Sequence, residues 1–152
     1  ALQDSIDAIR QADIIVIGPG SLYTSIIPNF LVDGITEAIR SSGAVREYIL
    51  NIMTQDGETD GYTGEDHVRA LLEHAGGDVI DVCIANNAPV PEKWLAPYRQ
   101  EGVGPIEVDR AGIEALGVAV REFPLCRPGR YIRHDADALS RAILSVWREF
   151  EA

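Results

Sequence analysis

The clearest hydrophobic feature of the chain is the continuous run Ile14–Ile17, which lies between Asp13 and Gly18. A β-branched run without polar alternation predicts a parallel strand that is covered on both faces. The sequence then changes abruptly to Gly-Pro-Gly-Ser at 18–21 and to hydroxyl-bearing residues before a new apolar segment. This order is typical of a strand, a tight loop and a helix start. Because the first N–H groups of a helix lack partners, we expect an anion to bind favourably at this loop.

The rest of the pattern alternates between helical and strand periods. Apolar spacing predicts an opening helix that carries Leu2, Ile6 and Ile9, helices at about 26–41, 64–75 and 92–99, and a closing amphipathic helix from Ala136. Strands are predicted at 47–53 and 79–85, and two further short ones at 105–109 and 118–125. Alternation of this kind favours one α/β domain over residues 1–152 with a mainly parallel sheet.

The loop after the first strand does not match a known phosphate-binding fingerprint. No Gly-Lys-Ser/Thr follows it, and Tyr23 stands where G-x-G-x-x-G requires its third glycine. Ser25 is expected to cap the following helix, which places Pro28 in the first turn, and Asn29 is the alternative cap. An ordinary strand–helix connection with glycines and a cap explains the same residues, so both interpretations stay open here.

Composition narrows the possible partners. The 152 residues are 46% apolar and 24% charged, as in ordinary globular proteins, and the formal net charge is -11. A chain this acidic lacks the broad basic face that nucleic acid or an anionic membrane requires. No apolar run has the length of a membrane span, and Cys83 and Cys126 form no C-x-x-C motif, so we expect a reduced, cytoplasmic setting. The residue pattern predicts no metal site and no cofactor.

Polar residues follow the predicted strands, where ligands of parallel sheets bind. After the loop 18–25, the second polar segment is 51–67, whose carboxylates suit either a divalent cation or a helix start. Thr63 and Asp66 have the spacing of a capping box, which favours the helix start. Tyr62, beside Gly61, could stack on a base or a sugar. His67 and Cys83 are expected to have structural roles.

The third polar segment is basic. It contains Arg121, Arg127, Arg130 and Arg133, and its only acid is Glu122, in a strongly acidic chain. This contrast indicates an anionic ligand, although ordinary surface ion pairs are the alternative. Positive charge at Arg133 and His134, just before the last helix, would oppose the helix dipole unless an anion were bound. No Ser-His-Asp or Cys-His arrangement is predicted, which favours binding over catalysis.

Several ordered motifs carry a family resemblance. The segments GPGSLYTSIIPNFLVDGI, NIMTQDGETDGYTGEDHVRAL, Asn-Asn-Ala-Pro-Val-Pro and Tyr-Ile-Arg-His-Asp resemble the gluconeogenesis factor (YvcK-like) branch of the CofD-like superfamily. The resemblance implies a Rossmann-like three-layer sandwich. It also implies a cytoplasmic protein that binds UDP-sugars such as UDP-N-acetylglucosamine and affects cell-wall synthesis, cell shape and gluconeogenic growth. Tyr62 and Arg133 match residues implicated in nucleotide-sugar binding.

The sister branch of the superfamily is 2-phospho-L-lactate transferase, which is the alternative function. Its first loop resembles Gly-Pro-Ser-Asn, whereas this chain has Gly-Pro-Gly-Ser-Leu-Tyr. The glycine-rich Gly-Gly-Gly-Thr-Gly loop and the Asp-Asp-Gly-Gly segment that begin family members are not in this sequence, so the resemblance covers the C-terminal half. We therefore expect either a truncated chain or a half-length homologue, with a sheet edge exposed for homo-oligomer formation. A fragment that acts only as an association unit is a further alternative.

The predicted ligand-binding residues lie in the loops that follow the strands. They are Gly18, Pro19, Gly20, Ser21, Tyr23, Thr24, Ser25, Thr54, Gln55, Glu58, Thr59, Tyr62, Asn86, Asn87, Arg133 and His134.

Overall fold

A computed structural model describes residues 2–99, 102–127, 129 and 131–151, without the side chain of Arg99. Its sheet has four strands, all parallel, in the order β1-β2-β3-β4. The strands are β1 (Ile14–Ile17), β2 (Val45–Ile49), β3 (Val82–Asn86) and β4 (Ala119–Phe123). A separate antiparallel pair joins β5 (Cys126–Arg127) to β6 (Arg133–His134). All four carboxyl ends of the parallel strands therefore lie at one edge of the sheet.

Helices cover both faces of this sheet. They are α1 (Gln3–Gln11), α2 (Ile27–Phe30), α3 (Ile35–Ser41), α4 (Gly64–Ala75), α5 (Glu92–Arg99), α6 (Arg110–Ala115) and α7 (Ala136–Glu151). One apolar core packs Tyr48 and Cys83 of the sheet against helices that include α4 and α6. The opposite core packs Ile49 against Val146 of α7. The fold is the predicted α/β, Rossmann-like three-layer sandwich.

The predicted helix at 26–41 is interrupted, and this prediction was wrong in detail. A π-helical segment, Leu22–Ile26, precedes α2, and α3 begins only at Ile35. Between them Gly34 has φ +87°, and a Cβ there would lie 3.1 Å from Ile6 Cδ1 of α1. Glycine is therefore required at a break where α1 and α3 approach each other closely.

Both predicted caps of that helix are also wrong. Ser25 lies inside the π-helical segment, where its amide donates to the Ser21 carbonyl at 3.0 Å. Asn29 lies inside α2, and its Nδ2 donates to the Ser25 carbonyl at 2.6 Å. Pro28 does lie in the first turn of α2, where no N–H is needed.

Two strand predictions differ from the structure, because an apolar pattern does not by itself specify the hydrogen bonds of a strand. β2 begins two residues before the predicted 47–53 and ends at Ile49, and Asn51, two residues later, binds Gly20 of the first loop. The segment 105–109 forms no strand; it has one isolated bridge, between Met53 and Pro105. Two backbone hydrogen bonds hold this bridge: the Ile106 amide donates to the Ile52 carbonyl at 2.9 Å, and the Thr54 amide donates to the Gly104 carbonyl at 2.8 Å. The predicted strand at 118–125 is confirmed as β4.

The predicted capping box at the start of α4 is confirmed. Thr63 Oγ1 accepts from the Asp66 amide, and Asp66 Oδ2 accepts from the Thr63 amide at 2.8 Å. His67, one turn into the helix, is fully buried. Within the described part of the chain, none of the helices is long and apolar enough to cross a membrane.

Candidate functional site

The first loop is held at the carboxyl end of β1 by a side chain from the neighbouring strand end. Gly18 has φ +88°, and the Gly18–Pro19 peptide bond is cis. Asn51 Nδ2 donates to the Gly20 carbonyl at 2.8 Å, and the Gly20 amide donates to Asn51 Oδ1 at 3.3 Å. One amide side chain thus fixes Gly20 from both sides and aligns the loop with the end of β2.

Three side-chain hydrogen bonds join this loop to the second polar segment. Ser21 Oγ donates to Gln55 Oε1 at 2.6 Å, and Thr24 Oγ1 donates to Glu58 Oε1 at 3.0 Å. The third connects the hydroxyls of the two tyrosines described below. The structure therefore brings the predicted residues of the two loops together, but several of their polar groups already bind each other. A ligand here must exchange those hydrogen bonds for its own.

Thr59 and Glu58 shape the second loop from within. Thr59 is 2% exposed, and its Oγ1 accepts from the Gln55 amide at 2.9 Å. Among the described residues, Glu58 Oε2 is buried without a hydrogen-bond partner. Asp60 Oδ2 accepts from the Gly57 amide at 2.9 Å. No group of three or more His, Cys, Asp or Glu side chains arranged for a metal ion occurs among the described residues.

Tyr23 and Tyr62 connect the two loops to α4. Their hydroxyl oxygens are 2.8 Å apart, and this hydrogen bond, together with burial, raises the pKa of Tyr23 to about 12. The Tyr62 ring packs edge-on against His67, with centroids 5.6 Å apart, and the Tyr23 ring packs edge-on against His74 at 5.9 Å. Tyr62 also lines a cavity of about 260 Å³, together with Thr54. Its stacking on a base or sugar stays a prediction.

His134, another of the predicted ligand-binding residues, lies at the end of β2. The Nε2–H of His134 donates to the Leu50 carbonyl at 3.1 Å, and burial lowers the pKa of His134. The imidazole is therefore neutral near pH 7 and does not supply the positive charge that the sequence suggested. Because Asn51 follows Leu50 directly, one short stretch holds both β6 and the Gly20 peptide.

Asn86 and Asn87 have different environments at the end of β3. Asn86 Oδ1 accepts from the amides of Leu125 and Cys126, each at 2.9 Å, and Asn86 Nδ2 donates to the Ala88 carbonyl at 2.8 Å. Its side chain therefore positions the turn into β5. The Asn87 side chain is exposed, and only its backbone N–H, which donates to Phe123, is tied to the sheet. Asn87 is the better placed of the two for a ligand.

The four arginines predicted as an anionic-ligand segment separate in the structure. Arg121 forms an ion pair with Glu149 of α7, which is the alternative that the sequence left open for this segment. Arg130 lies outside the described residues. Arg127 and Arg133 are directly opposite each other across the β5–β6 pair, and both are exposed.

The opposition of Arg127 and Arg133 is electrostatically unfavourable by itself. Directly opposite residues of an antiparallel pair project to the same face, and like charges there destabilise the pair. Among the described residues neither guanidinium has a carboxylate partner; Arg133 lies over the Tyr131 ring, 5.6 Å from its centroid. Neither arginine caps the following helix. Asp135 Oδ1 caps α7 by accepting from the Ala138 amide at 2.9 Å.

Two residues at this edge of the sheet were not among the predicted ligand-binding residues. Asn51 was included in the second segment but not among the ligand-binding residues, and Arg127 was named only as part of the basic cluster. The rule that ligands bind after the carboxyl ends of parallel strands would have selected Asn51, since it follows β2 almost directly. Nothing in the sequence indicated that Arg127 would face Arg133.

Comparison with known protein families gives the class of this fold and site. A family model described as "2-phospho-L-lactate transferase CofD" matches residues 1–126, most of the chain. The chain thus has a CofD-like domain.

Individual relatives show to which branch of the superfamily the chain belongs. The chain is 45% identical over 144 residues to a gluconeogenesis factor of Halalkalibacterium halodurans, covering 94% of this chain and 45% of that protein. It is 40% identical over 149 residues to a gluconeogenesis factor of Bacillus subtilis, covering 97% of this chain and 47% of the relative. The chain therefore belongs to the gluconeogenesis factor family of the CofD-like superfamily.

A solved structure agrees with this assignment. A crystal structure of a UPF0052-family protein from Bacillus halodurans superposes with a TM-score of 0.91 at 45% identity, covering 94% of this chain and 46% of that one. The chain spans less than half the length of the relatives it matches.

Proposed function

We propose that this chain binds a nucleotide sugar, a UDP-sugar such as UDP-N-acetylglucosamine, and acts as a regulatory protein rather than an enzyme. The observation that carries the proposal is the exposed pair Arg127 and Arg133 at the carboxyl-end edge of the sheet. Two guanidinium groups facing each other without a carboxylate form a suitable place for a diphosphate, whose oxygens accept bidentate, charge-assisted hydrogen bonds. Binding would also relieve the repulsion between them.

The neighbouring groups suit the uncharged parts of such a ligand. His134 anchors β6 to Leu50, and Asn51 anchors the Gly20 loop to the same stretch, so the arginines and the hydroxyl-rich loop share one edge. Hydroxyls of Ser21 and Thr24, and the exposed Asn87 side chain, offer hydrogen bonds to a sugar. The Glu58 carboxylate in the loop favours binding of the phosphates at the arginines rather than at Gly20.

The regulatory role rests on the family. The relatives are named gluconeogenesis factors. We therefore propose an influence on gluconeogenic growth, and with it on cell-wall synthesis and cell shape, since a nucleotide sugar links carbon supply to wall precursors. A cytoplasmic setting is part of this proposal; Cys83 and Cys126 are both free thiols, and burial raises the pKa of Cys83 to about 12.

A transferase of the 2-phospho-L-lactate type is the second candidate. The description of the matching family model favours it. Both candidates use a phosphate-bearing ligand, so they differ in whether product forms. Incubating the chain with UDP-sugars, with and without Mg²⁺, and assaying for released UMP and UDP separates them: turnover without a distinct binding phase would contradict the regulatory proposal.

The arginine pair is tested by calorimetric titration with UDP-N-acetylglucosamine. Arg133→Ala and Arg127→Ala should each weaken binding by roughly ten- to a hundredfold, because a charge-assisted contact contributes about 1.5–3 kcal/mol. Arg148→Ala, an exposed arginine in the last turn of α7, is the control with the same change in charge and should bind like the parent. If Arg133→Ala binds like the parent but melts several degrees lower, the arginine is structural and the proposed site is wrong.

Tyr62→Ala provides an independent measurement at the same site. It should also weaken binding, through lost ring contact with the base or sugar, so its effect should change less with salt than that of Arg133→Ala. Because Tyr62 also packs on His67, unfolding of each variant is followed by circular dichroism before the titration. Equal salt dependence of the two losses would contradict the assignment of Tyr62 to the uncharged part of the ligand.

A further inference from the structure

The short antiparallel pair of β5 and β6 is fixed to the parallel sheet at its first register pair, Cys126 and His134. The Cys126 amide donates to Asn86 Oδ1 at the end of β3, at 2.9 Å and across 40 positions of the sequence. The His134 side chain donates to the Leu50 carbonyl just after β2, at 3.1 Å and across 84 positions. Because β2 and β3 are neighbours, these two hydrogen bonds hold one end of the pair against two adjacent strand ends.

A third hydrogen bond comes from α5 and lies on the other side of Arg133. The Ile132 amide donates to the hydroxyl oxygen of Tyr98 at 2.9 Å, across 34 positions of the sequence. The end of α5 is itself fixed, because the Val103 amide donates to the Tyr98 carbonyl at 3.1 Å. Arg133 therefore lies between two residues that are both held from outside the pair of strands, Ile132 before it and His134 after it.

These hydrogen bonds act against a repulsion. Arg127 and Arg133 are register partners, and like charges directly opposite each other destabilise an antiparallel pair. Each strand of the pair has only two residues, and even a longer isolated pair of strands is marginally stable in water. The outside contacts therefore keep the two guanidinium groups opposite each other before any ligand binds. A site that is ordered in advance loses less of its binding free energy to ordering.

We infer that Tyr98 is a positioning residue of the phosphate-binding site. Its hydroxyl fixes the backbone just before Arg133 and so keeps Arg133 opposite Arg127, where both can bind the oxygens of one diphosphate. This inference rests on the proposed function and adds to that site a helix residue that was not among the predicted ligand-binding residues. Tyr98 acts through Arg133 and not on the ligand itself.

Calorimetric titration of Tyr98→Phe with UDP-N-acetylglucosamine and with inorganic pyrophosphate tests the inference. Phenylalanine keeps the ring and removes only the hydroxyl, so the affinity for both ligands should fall roughly two- to tenfold, as for the loss of one hydrogen bond. Tyr48→Phe is the matched control, because Tyr48 of β2 is fully buried and its hydroxyl has no hydrogen-bond partner among the described residues. This control should bind both ligands like the parent.

A double-mutant cycle separates positioning from a general effect on the structure. In the Arg133→Ala background, Tyr98→Phe should change the affinity for UDP-N-acetylglucosamine much less than in the parent, because the group that Tyr98 positions is absent. An equal loss in both backgrounds overturns the inference, since Tyr98 would then act independently of Arg133. A loss with UDP-N-acetylglucosamine that is absent with pyrophosphate overturns it as well, because Tyr98 would then act on the sugar or the base.

Hydrogen exchange measures the positioning without a ligand. The Ile132 amide should exchange with deuterium faster in Tyr98→Phe than in the parent, whereas the Ala138 amide, which Asp135 holds, should exchange equally in both. Equal exchange at Ile132 overturns the inference. A parent that binds neither ligand overturns the proposed function and this inference together, whereas a Tyr98→Phe variant that binds both ligands as tightly as the parent overturns the inference alone.

Discussion

Glu47 is an ionisable residue in a fully buried position. It lies in β2 between Val16 of β1 and Val82 of β3 in register, fully buried on the face of the sheet that α7 covers. Neither carboxyl oxygen has a hydrogen-bond partner among the described residues, and burial raises the pKa of Glu47 from its ordinary 4.5 to about 7. A buried carboxyl without a partner is expected to be protonated in the folded state.

Glu47 should therefore make stability depend on pH. Because the folded state binds this proton more tightly than the unfolded state, its contribution is full below pH 4.5 and is lost as pH rises through about 7. Glu47→Gln removes the titration while keeping the shape. The parent should lose roughly 3 kcal/mol of unfolding free energy relative to this variant between about pH 4.5 and 8.

Urea unfolding at several pH values measures this difference. Subtracting the variant cancels the opposite contributions of His67 and His134, whose pKa values burial lowers and which therefore favour folding as pH rises. A difference between parent and Glu47→Gln that stays constant with pH would show that the Glu47 carboxyl is solvated or paired.

At the scale of elements, the start of α4 depends on one close approach. The Gly64 amide donates to the Glu107 carbonyl at 2.7 Å, and a Cβ at Gly64 would lie 2.3 Å from the Val108 carbonyl oxygen. The segment 104–109 therefore lies directly against the first turn of α4. The apolar residues of that segment therefore pack against α4 instead of forming a strand.

Gly64→Ala should destabilise the chain by roughly 1–3 kcal/mol, because the contact is with backbone and the segment must move away. Gly43→Ala is the matched control: an added Cβ there meets nothing within 4 Å, and Gly43 does not have a positive φ. Thermal melting of both variants measures the contrast. Similar melting temperatures for the two would mean that the 104–109 segment adjusts without cost.

The predicted elements that the structure confirms are those that depend on residues close together in the sequence. The capping box of Thr63 and Asp66 depends on two residues three positions apart, and the apolar run of β1 is continuous in sequence. The long helix at 26–41 failed because its break at Gly34 comes from the approach of Ile6 of α1, which periodicity within the helix does not contain. The candidate site followed the same division: its loops were predicted, but their mutual hydrogen bonds were not.

At the scale of the whole molecule, the net charge of -11 makes the salt dependence of ligand binding informative, because attraction for an anion must come from a local group of basic residues. Raising the salt concentration from about 0.05 to 0.5 M screens the attraction of a UDP-sugar to Arg127 and Arg133, so the affinity for the ligand should fall. Calorimetry on one salt series measures this change, and an affinity that rises with salt would contradict the proposal that the phosphates bind the two arginines.

The sequence by itself determined the α/β order, the positions of most helices and strands, and the loops at which a ligand should bind. These properties arise from side-chain period, glycine and capping residues within a few positions of one another. The tertiary structure alone decided that Asn51 holds Gly20 from 31 positions away, that His134 reaches Leu50 across 84 positions, and that Arg127 faces Arg133. It also decided the burial of Glu47. Such contacts depend on which strand ends the parallel sheet brings together, and no local pattern of residues specifies that arrangement.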